Sequence, residues 1–212
     1  MLRYLKSSRK RRAVFRQLHH KNALIIFLQE THNTSNNNKC GVTNRVVHFF
    51  FAMAAHSNSK PRVEIEQQIQ SNQKNTHPPV QINDLKLVCA NIYTPHDSRF
   101  QIVFIGQVQN RLQQFSGENI IIGGDFNCPF AEDDKEENRD LFSKKNIVAE
   151  IKVLLFSLAV ENVWRKLHPN DKQFTWRRPD KKKTKCILDY IFCDNHLYAN
   201  VIFKSLLTVI IF

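Results

Sequence analysis

The sequence predicts a layered α/β or α+β fold in a single domain spanning residues 1–212, and three observations lead there. Short apolar runs of strand length are interspersed with longer stretches whose apolar residues recur at helical spacing. A chain of 212 residues can bury one substantial core and hardly two. Hydrophobic residues at 42% and charged residues at 24% place it among globular chains, neither fibrous nor disordered by composition.

In chain order, residues 1–21 hold eight basic residues and no acidic one. Val14, Phe15 and Leu18 then repeat at helical spacing, which predicts a basic amphipathic helix over roughly 9–20. ALIIFLQ (23–29) is a continuous apolar run, the pattern of a strand buried on both faces, and Glu30 ends it. NTSNNNK (33–39) and EQQIQSNQKNTHPPVQ (66–81) read as loops or insertions, so the stretch 33–83 is poorly patterned, with an apolar patch stranded inside it. DLKLVCANIY (84–93) is a strand closed by Pro95. Phe104, Val108, Leu112 and Phe115 form one helical stripe within 100–115, and Gly117 is a natural stop. NIII (119–122) is a short buried strand running into Gly-Gly-Asp-Phe-Asn, where the two glycines predict a sharp turn and a close approach of the backbone to a ligand. After an acidic loop (131–140), Ile147, Ile151, Leu154, Leu155 and Leu158 stripe a helix over 143–162. FTW (174–176), a lysine-rich turn (177–185) and ILDYIFC (187–193) read as a hairpin-like unit.

Lys and Arg outnumber Asp and Glu by 31 to 19, a formal charge of +12. That excess suits a polyanion, whether nucleic acid or an anionic membrane surface. No apolar run approaches the ~20 residues of a membrane-spanning helix, and no apolar stretch follows the basic N-terminus as a secretory signal would require. The five cysteines are odd in number and form no CxxC pair, which fits free thiols in a reducing compartment. An intracellular protein is expected. RKRR (9–12) reads equally as a nuclear import signal or as the start of a helix.

Glu30, Tyr93, Asp125 and Asp189 all fall at the ends of apolar strands, and Asn127 follows Asp125 by two. Carboxylates at strand ends are costly to bury unless something pairs them, and a hard cation is a usual partner. Oxygen-only donors favour Mg²⁺ or Mn²⁺ over Zn²⁺. Such a set serves phosphodiester hydrolysis. Taken singly, each residue has a plainer role: Glu30 a solvated loop charge, GGDFN a turn, Tyr93 a hydrogen-bonded strand end, Asp189 a surface aspartate. The weight lies in their joint occurrence and order.

LQET (28–31), NIYTP (91–95), GGDFN (123–127), LHPNDKQFTWRR (167–178) and LDYIF (188–192) together resemble the endonuclease/exonuclease/phosphatase superfamily. Within it the chain is most similar to the apurinic-type endonuclease domain of LINE-type retrotransposons, over residues 9–31 and 84–203. The resemblance implies a four-layer sandwich of two mixed β-sheets flanked by helices, incomplete here at both ends. It implies Glu30 as the Mg²⁺ ligand, Asp125 orienting or deprotonating the attacking water, and Asn127 and Tyr93 holding the scissile phosphate. Asp189 would buttress a histidine, and Thr175, His96, Arg177 and Arg178 would lie along the substrate. The implied partner is DNA, bound by a monomer with no membrane attachment and no protein partner, with the basic segments 9–16 and 177–185 on its phosphates.

The chain also departs from that family. MLRYLKSS lacks the Asn of the family's opening strand, His96 stands where an amide is expected, and Cys186-Ile187 replaces Ser-Arg. The sequence ends in SLLTVIIF without the family's Ser-Asp-His, and His196 is the nearest histidine in sequence to Asp189. The expectation is a truncated, impaired nuclease derived from a mobile element. Two other readings stand beside it: a catalytically inactive, basic nucleic-acid-binding remnant, and a phosphoinositide phosphatase or sphingomyelinase-like hydrolase.

Overall fold

The computed structural model describes residues 25–28, 48–51, 63–67, 81–82, 85–136, 145–177 and 184–199. The helix expected over 9–20, Glu30 and Arg178 lie outside the described residues. Ten strands are described: β1 (Ile25–Leu28), β2 (His48–Phe51), β3 (Val63–Gln67), β4 (Gln81–Ile82), β5 (Leu85–Tyr93), β6 (Asn119–Asp125), β7 (Val160–Asn162), β8 (Trp176–Arg177), β9 (Lys185–Cys186) and β10 (Asp189–Asp194). Four α-helices accompany them: α1 (Ser98–Leu112), α2 (Lys145–Ser157), α3 (Val163–Leu167) and α4 (Asn195–Ala199).

A mixed six-stranded sheet runs β3-β5-β6-β10-β7, with β4 pairing the start of β5. β5 and β6 are parallel and joined through α1, while β10 is antiparallel to β6 and β7 antiparallel to β10. The central strands are apolar on both faces because both faces are covered. Alternation sends Val88, Ala90, Ile92, Ile120, Ile122, Tyr190 and Phe192 to one side, against Phe104, Ile105, Val108 and Leu112 of α1 and Ile147, Ile151 and Leu154 of α2. Leu87, Cys89, Ile121, Ile191 and Cys193 face the other side, where Phe27 of β1, Val163 of α3 and Leu197 of α4 cover them. The α/β class expected from the sequence is therefore present: helices, a mixed sheet, and the parallel β1–β2 pair across the sheet from α1 and α2. Among the described residues no helix is long and apolar enough to cross a membrane.

Several local expectations are corrected. The poorly patterned stretch 33–83 supplies three short strands, and β3 joins the main sheet beside β5. The two glycines of GGDFN do not turn the chain; β6 continues through both. The reason is packing: a Cβ on Gly123 would lie 2.4 Å from the Phe27 ring, so glycine lets β1 settle onto β6. The long helix stops at Ser157 rather than 162, because Ala159 turns left-handed at φ 52° and the next three residues pair with β10 as β7. FTW does not pair with ILDYIFC. Its Trp176 faces Cys186 in the small β8–β9 ladder, which leaves β10 to the main sheet.

Candidate active site

Strand register builds the site. In the parallel β5–β6 ladder Tyr93 stands opposite Asp125, and in the antiparallel β6–β10 ladder Asp125 stands opposite Asp189. Three predicted site residues thus form one row across three adjacent strands, with neighbouring backbones about 4.8 Å apart. By alternation the row lies on the face that carries Ile121, Ile191 and Phe27 rather than on the face under α1 and α2. All three residues are half-buried. The row sits at a sheet end because β5 and β6 both finish there and β10 begins there.

Asn127 is held beside the row by backbone geometry. Its φ is +48°, a left-handed conformation that asparagine tolerates better than most residues. Its N–H donates to Asp125 Oδ1 at 2.8 Å, closing a turn of the kind that Asp favours. The Asn127 side-chain Nδ2 donates to the Thr94 carbonyl at 2.6 Å, and Thr94 N–H donates back to the Asp125 carbonyl at 2.9 Å. Phe126 N–H reaches the Leu188 carbonyl at 2.8 Å. The ends of β5 and β6 and the start of β10 are therefore stitched together at the row.

Asp189 and Thr175 form the next contact. Thr175 Oγ1 accepts from Leu188 N–H at 3.0 Å and from Asp189 N–H at 3.2 Å. Burial pushes the Asp189 carboxyl up to about 6, with the Thr175 side-chain hydrogen bond pulling the other way. Burial also pushes the Cys186 thiol up to about 12, helped by the charges of Asp125, Asp189 and Asp134. Cys186 is thus a protonated, unreactive neighbour of the row. His96 is exposed, with Nε2 3.4 Å from Tyr93 Oη and its ring edge-on to the tyrosine. Arg177 is exposed on β8, two residues beyond Thr175. Glu30, two residues past β1, and Arg178 lie outside the described residues.

Asp125, Asp189, Tyr93, Asn127, Thr175 and His96 are therefore linked into one neighbourhood. His196 is not part of it. It sits on α4, past the opposite end of β10. Five residue steps at ~3.3 Å separate the two strand ends by roughly 17 Å.

One residue of the neighbourhood was not legible as such. Asp134 belongs to the stretch expected as an acidic loop, yet it is 3% exposed. Its Oδ2 accepts from Ala131 N–H at 3.0 Å, Phe130 N–H at 3.2 Å and the Tyr190 hydroxyl at 3.0 Å, while Oδ1 takes Arg165 Nη2 at 2.9 Å. Nothing in Glu132-Asp133-Asp134 as a sequence marks the third acid as the buried one.

The arrangement offers adjacent carboxylates, a phenol and an amide at a sheet end. Two carboxylates opposite one another disfavour each other's ionisation, and a proton or a hard cation relieves the repulsion. The donor set consists of oxygens, which is the chemistry Mg²⁺ prefers. Among the described residues no three His, Cys, Asp or Glu side chains group as a complete metal site.

The sequence model of the Endonuclease/Exonuclease/phosphatase family matches residues 2–207. No curated protein gives a significant sequence match. Among solved structures, an AP endonuclease from Archaeoglobus fulgidus is 18% identical with a TM-score of 0.49, over 56% of this chain and 52% of that one. The AP endonuclease LMAP from Leishmania major is 11% identical with a TM-score of 0.50, over 57% and 45%. The 3' phosphatase NExo from Neisseria, bound to a product DNA hairpin, is 13% identical with a TM-score of 0.49, over 66% and 61%. The matched region spans about half the length of the two AP endonucleases.

Proposed function

The chain belongs to the endonuclease/exonuclease/phosphatase family, and from that premise we propose that it is a Mg²⁺-dependent phosphodiesterase that nicks DNA, of the kind carried by LINE-type retrotransposons. The observation that carries the reading is the row Tyr93–Asp125–Asp189, which sets two carboxylates and a phenol side by side with Asn127 hydrogen-bonded to the middle one. In the proposed reaction a water attacks phosphorus, the Asp125 carboxylate receives its proton, and the P–O bond to the leaving oxygen breaks. Tyr93 and Asn127 donate hydrogen bonds to phosphoryl oxygens, which gain charge in the transition state. Asp189 is ionised above about pH 6 and stands directly opposite Asp125, so the pair favours a cation or a proton between them. Glu30, with carboxylate oxygens of the row, would hold Mg²⁺ or Mn²⁺, and the bound ion would polarise the phosphoryl group.

The net charge of +12 supports DNA as the substrate. The LINE assignment is supported by the blocks LHPNDKQFTWRR and LDYIF; the first contributes Thr175, the second Asp189.

Nicking of supercoiled plasmid tests the reading, run with Mg²⁺, with EDTA and with Asp125→Ala. The expected result is Mg²⁺-dependent relaxation that EDTA and the substitution both abolish. DNA binding that survives Asp125→Ala without any nicking by wild type would replace the proposal with a binding remnant. Release of phosphate from phosphoinositides, or of choline phosphate from sphingomyelin, without nicking would move the activity to lipids.

A further inference from the structure

We propose that Asp134 is a positioning residue for this site: its buried carboxylate anchors residues 126–131, so that Asn127 keeps its left-handed conformation beside Asp125. The inference rests on the reading of the row as a phosphodiesterase site.

The loop that leaves β6 has to hold Asn127 in a conformation few residues adopt, and then return to the sheet. Its first half is tied by Phe126 N–H to Leu188 and by the two Asn127 bonds to Asp125 and Thr94. Its second half is tied mainly through Asp134, with Phe130 N–H shared between that carboxylate and the Tyr190 hydroxyl at 3.1 Å. Two successive loop amides, Phe130 and Ala131, point at one oxygen of that carboxylate, and the Tyr190 hydroxyl, one residue past Asp189, meets the same oxygen. The other oxygen receives Arg165, whose guanidinium also reaches the carbonyls of Pro169 at 3.3 Å and Asp171 at 2.9 Å. A buried anion with this many donors is fully paired, so it is held where it stands. The Asp134 backbone locks the far side, with Ile187 N–H donating to its carbonyl at 2.8 Å and its own N–H donating to Ala131 at 3.1 Å. Phe130 stacks on Tyr190 with centroids 4.1 Å apart and planes 16° apart, which adds an apolar clamp to the polar one. The result is a closed circuit from Asp125 through Asn127, Phe130 and Asp134 to Tyr190, next to Asp189. None of these bonds from Asp134 touches the row itself, so Asp134 acts through the loop.

A plainer role would be to weld α3 to the sheet through Arg165, with no bearing on Asn127. Asp134→Asn, which keeps the shape and removes the charge, separates the two. Amide hydrogen exchange is followed in the wild type and the variant at the N–H groups within 127–131 (Pro129 has none) and, as a reference, at 104–112 in α1. The positioning role predicts exchange faster by about 10-fold or more at 127–131 with α1 unchanged. It also predicts a drop in kcat for Mg²⁺-dependent nicking of about 10- to 100-fold with KM within about 2-fold, as a misplaced group does. Equal acceleration in both segments, or unchanged protection at 127–131, overturns the proposal. If Asp134→Asn does not fold, Arg165→Lys, which keeps the charge and loses the planar fork, is expected to give the same pattern at smaller size. Should the wild type fail to nick DNA at all, the phosphodiesterase reading falls, while the exchange measurement still decides whether Asp134 holds the loop.

Discussion

Strand β10 carries an aspartate at each end, and the two do opposite work. Asp194 is spent on structure: Oδ2 accepts Ile120 N–H at 3.1 Å where β6 begins, and Oδ1 accepts Leu197 N–H at 2.9 Å in the first turn of α4. Asp189 stands opposite another carboxylate, its strongest local help is a threonine hydroxyl, and burial raises its pKa to about 6. Both close the same strand of the same sheet. A carboxylate surrounded by backbone donors is used up by the fold, whereas one set against a second acid is left with charge to share with a cation, a proton or a substrate. On the proposed reading, the Asp189 end of the sheet is the functional one and the Asp194 end the structural one.

The largest difference between the two ends of the sheet is expected at Asp125. Asp125→Asn keeps an oxygen for the Asn127 N–H and removes the base, so nicking is expected to fall about 10³-fold, roughly 4 kcal/mol of barrier, with the thermal midpoint unchanged or slightly higher. Single-turnover rates beside a melting curve check it. A large loss of stability with the rate intact would make Asp125 a structural acid like Asp194.

Packing of β1 on β6 holds the Asp125 end of the sheet in position, and Gly123→Ala tests that. A methyl group there meets the Phe27 ring at 2.4 Å, with both partners in a filled core. The expected cost is about 2–3 kcal/mol in urea unfolding, because β1 must move off β6. Phe27→Leu in the same chain is expected to recover part of it. No recovery would mean that the strain lies elsewhere on β6.

Some of this was readable in advance and some was not, for physical reasons. β5 and β6 announce themselves through unbroken apolar runs, since strands covered on both faces need no polar side. The helical stripe at Phe104, Val108 and Leu112 is equally direct. Tyr93, Asp125 and Asp189 were marked by their strand ends and by short sequence blocks, but their alignment in a row depends on strand order and register, which no local pattern encodes. No local pattern reveals the role of Gly123, because its partner, Phe27, is 96 positions earlier in the chain. Asp134 is hidden among three consecutive acids, and no periodicity distinguishes it from Glu132 and Asp133. β9 was swallowed by the lysine-rich turn because a two-residue ladder leaves no periodicity.

The structural end should answer differently. Asp194→Ala removes the acceptor for two backbone donors that are part-buried, and a loss of about 1–2 kcal/mol is expected. Nicking is expected to stay within about 2-fold of wild type, because the residue lies at the far end of β10, roughly 17 Å from the row. A rate loss comparable to that of Asp125→Asn would remove the distinction between the two ends.

Asp189 gives the smallest effect and the most specific one. Its folded pKa of about 6 lies above the ordinary 3.8, so the native state holds the proton more tightly than the unfolded chain does. Between about pH 4 and pH 6 stability therefore falls as pH rises; the penalty is complete above about pH 6 and absent below about pH 4. Asp189→Asn keeps a partner for Thr175 and deletes the penalty. The variant is expected to gain about 1 kcal/mol over wild type at pH 7–8, a figure reduced for the partial exposure of the site, and to match wild type near pH 4. Urea midpoints of both proteins at half-unit steps from pH 4 to pH 8 measure the difference directly. Asp194→Asn run through the same series should show no such gain at neutral pH, since it gives up charged hydrogen bonds instead of relieving a buried charge. If both aspartates give the same curve, the two ends of β10 are electrostatically alike and the case for Asp189 as a functional acid is lost.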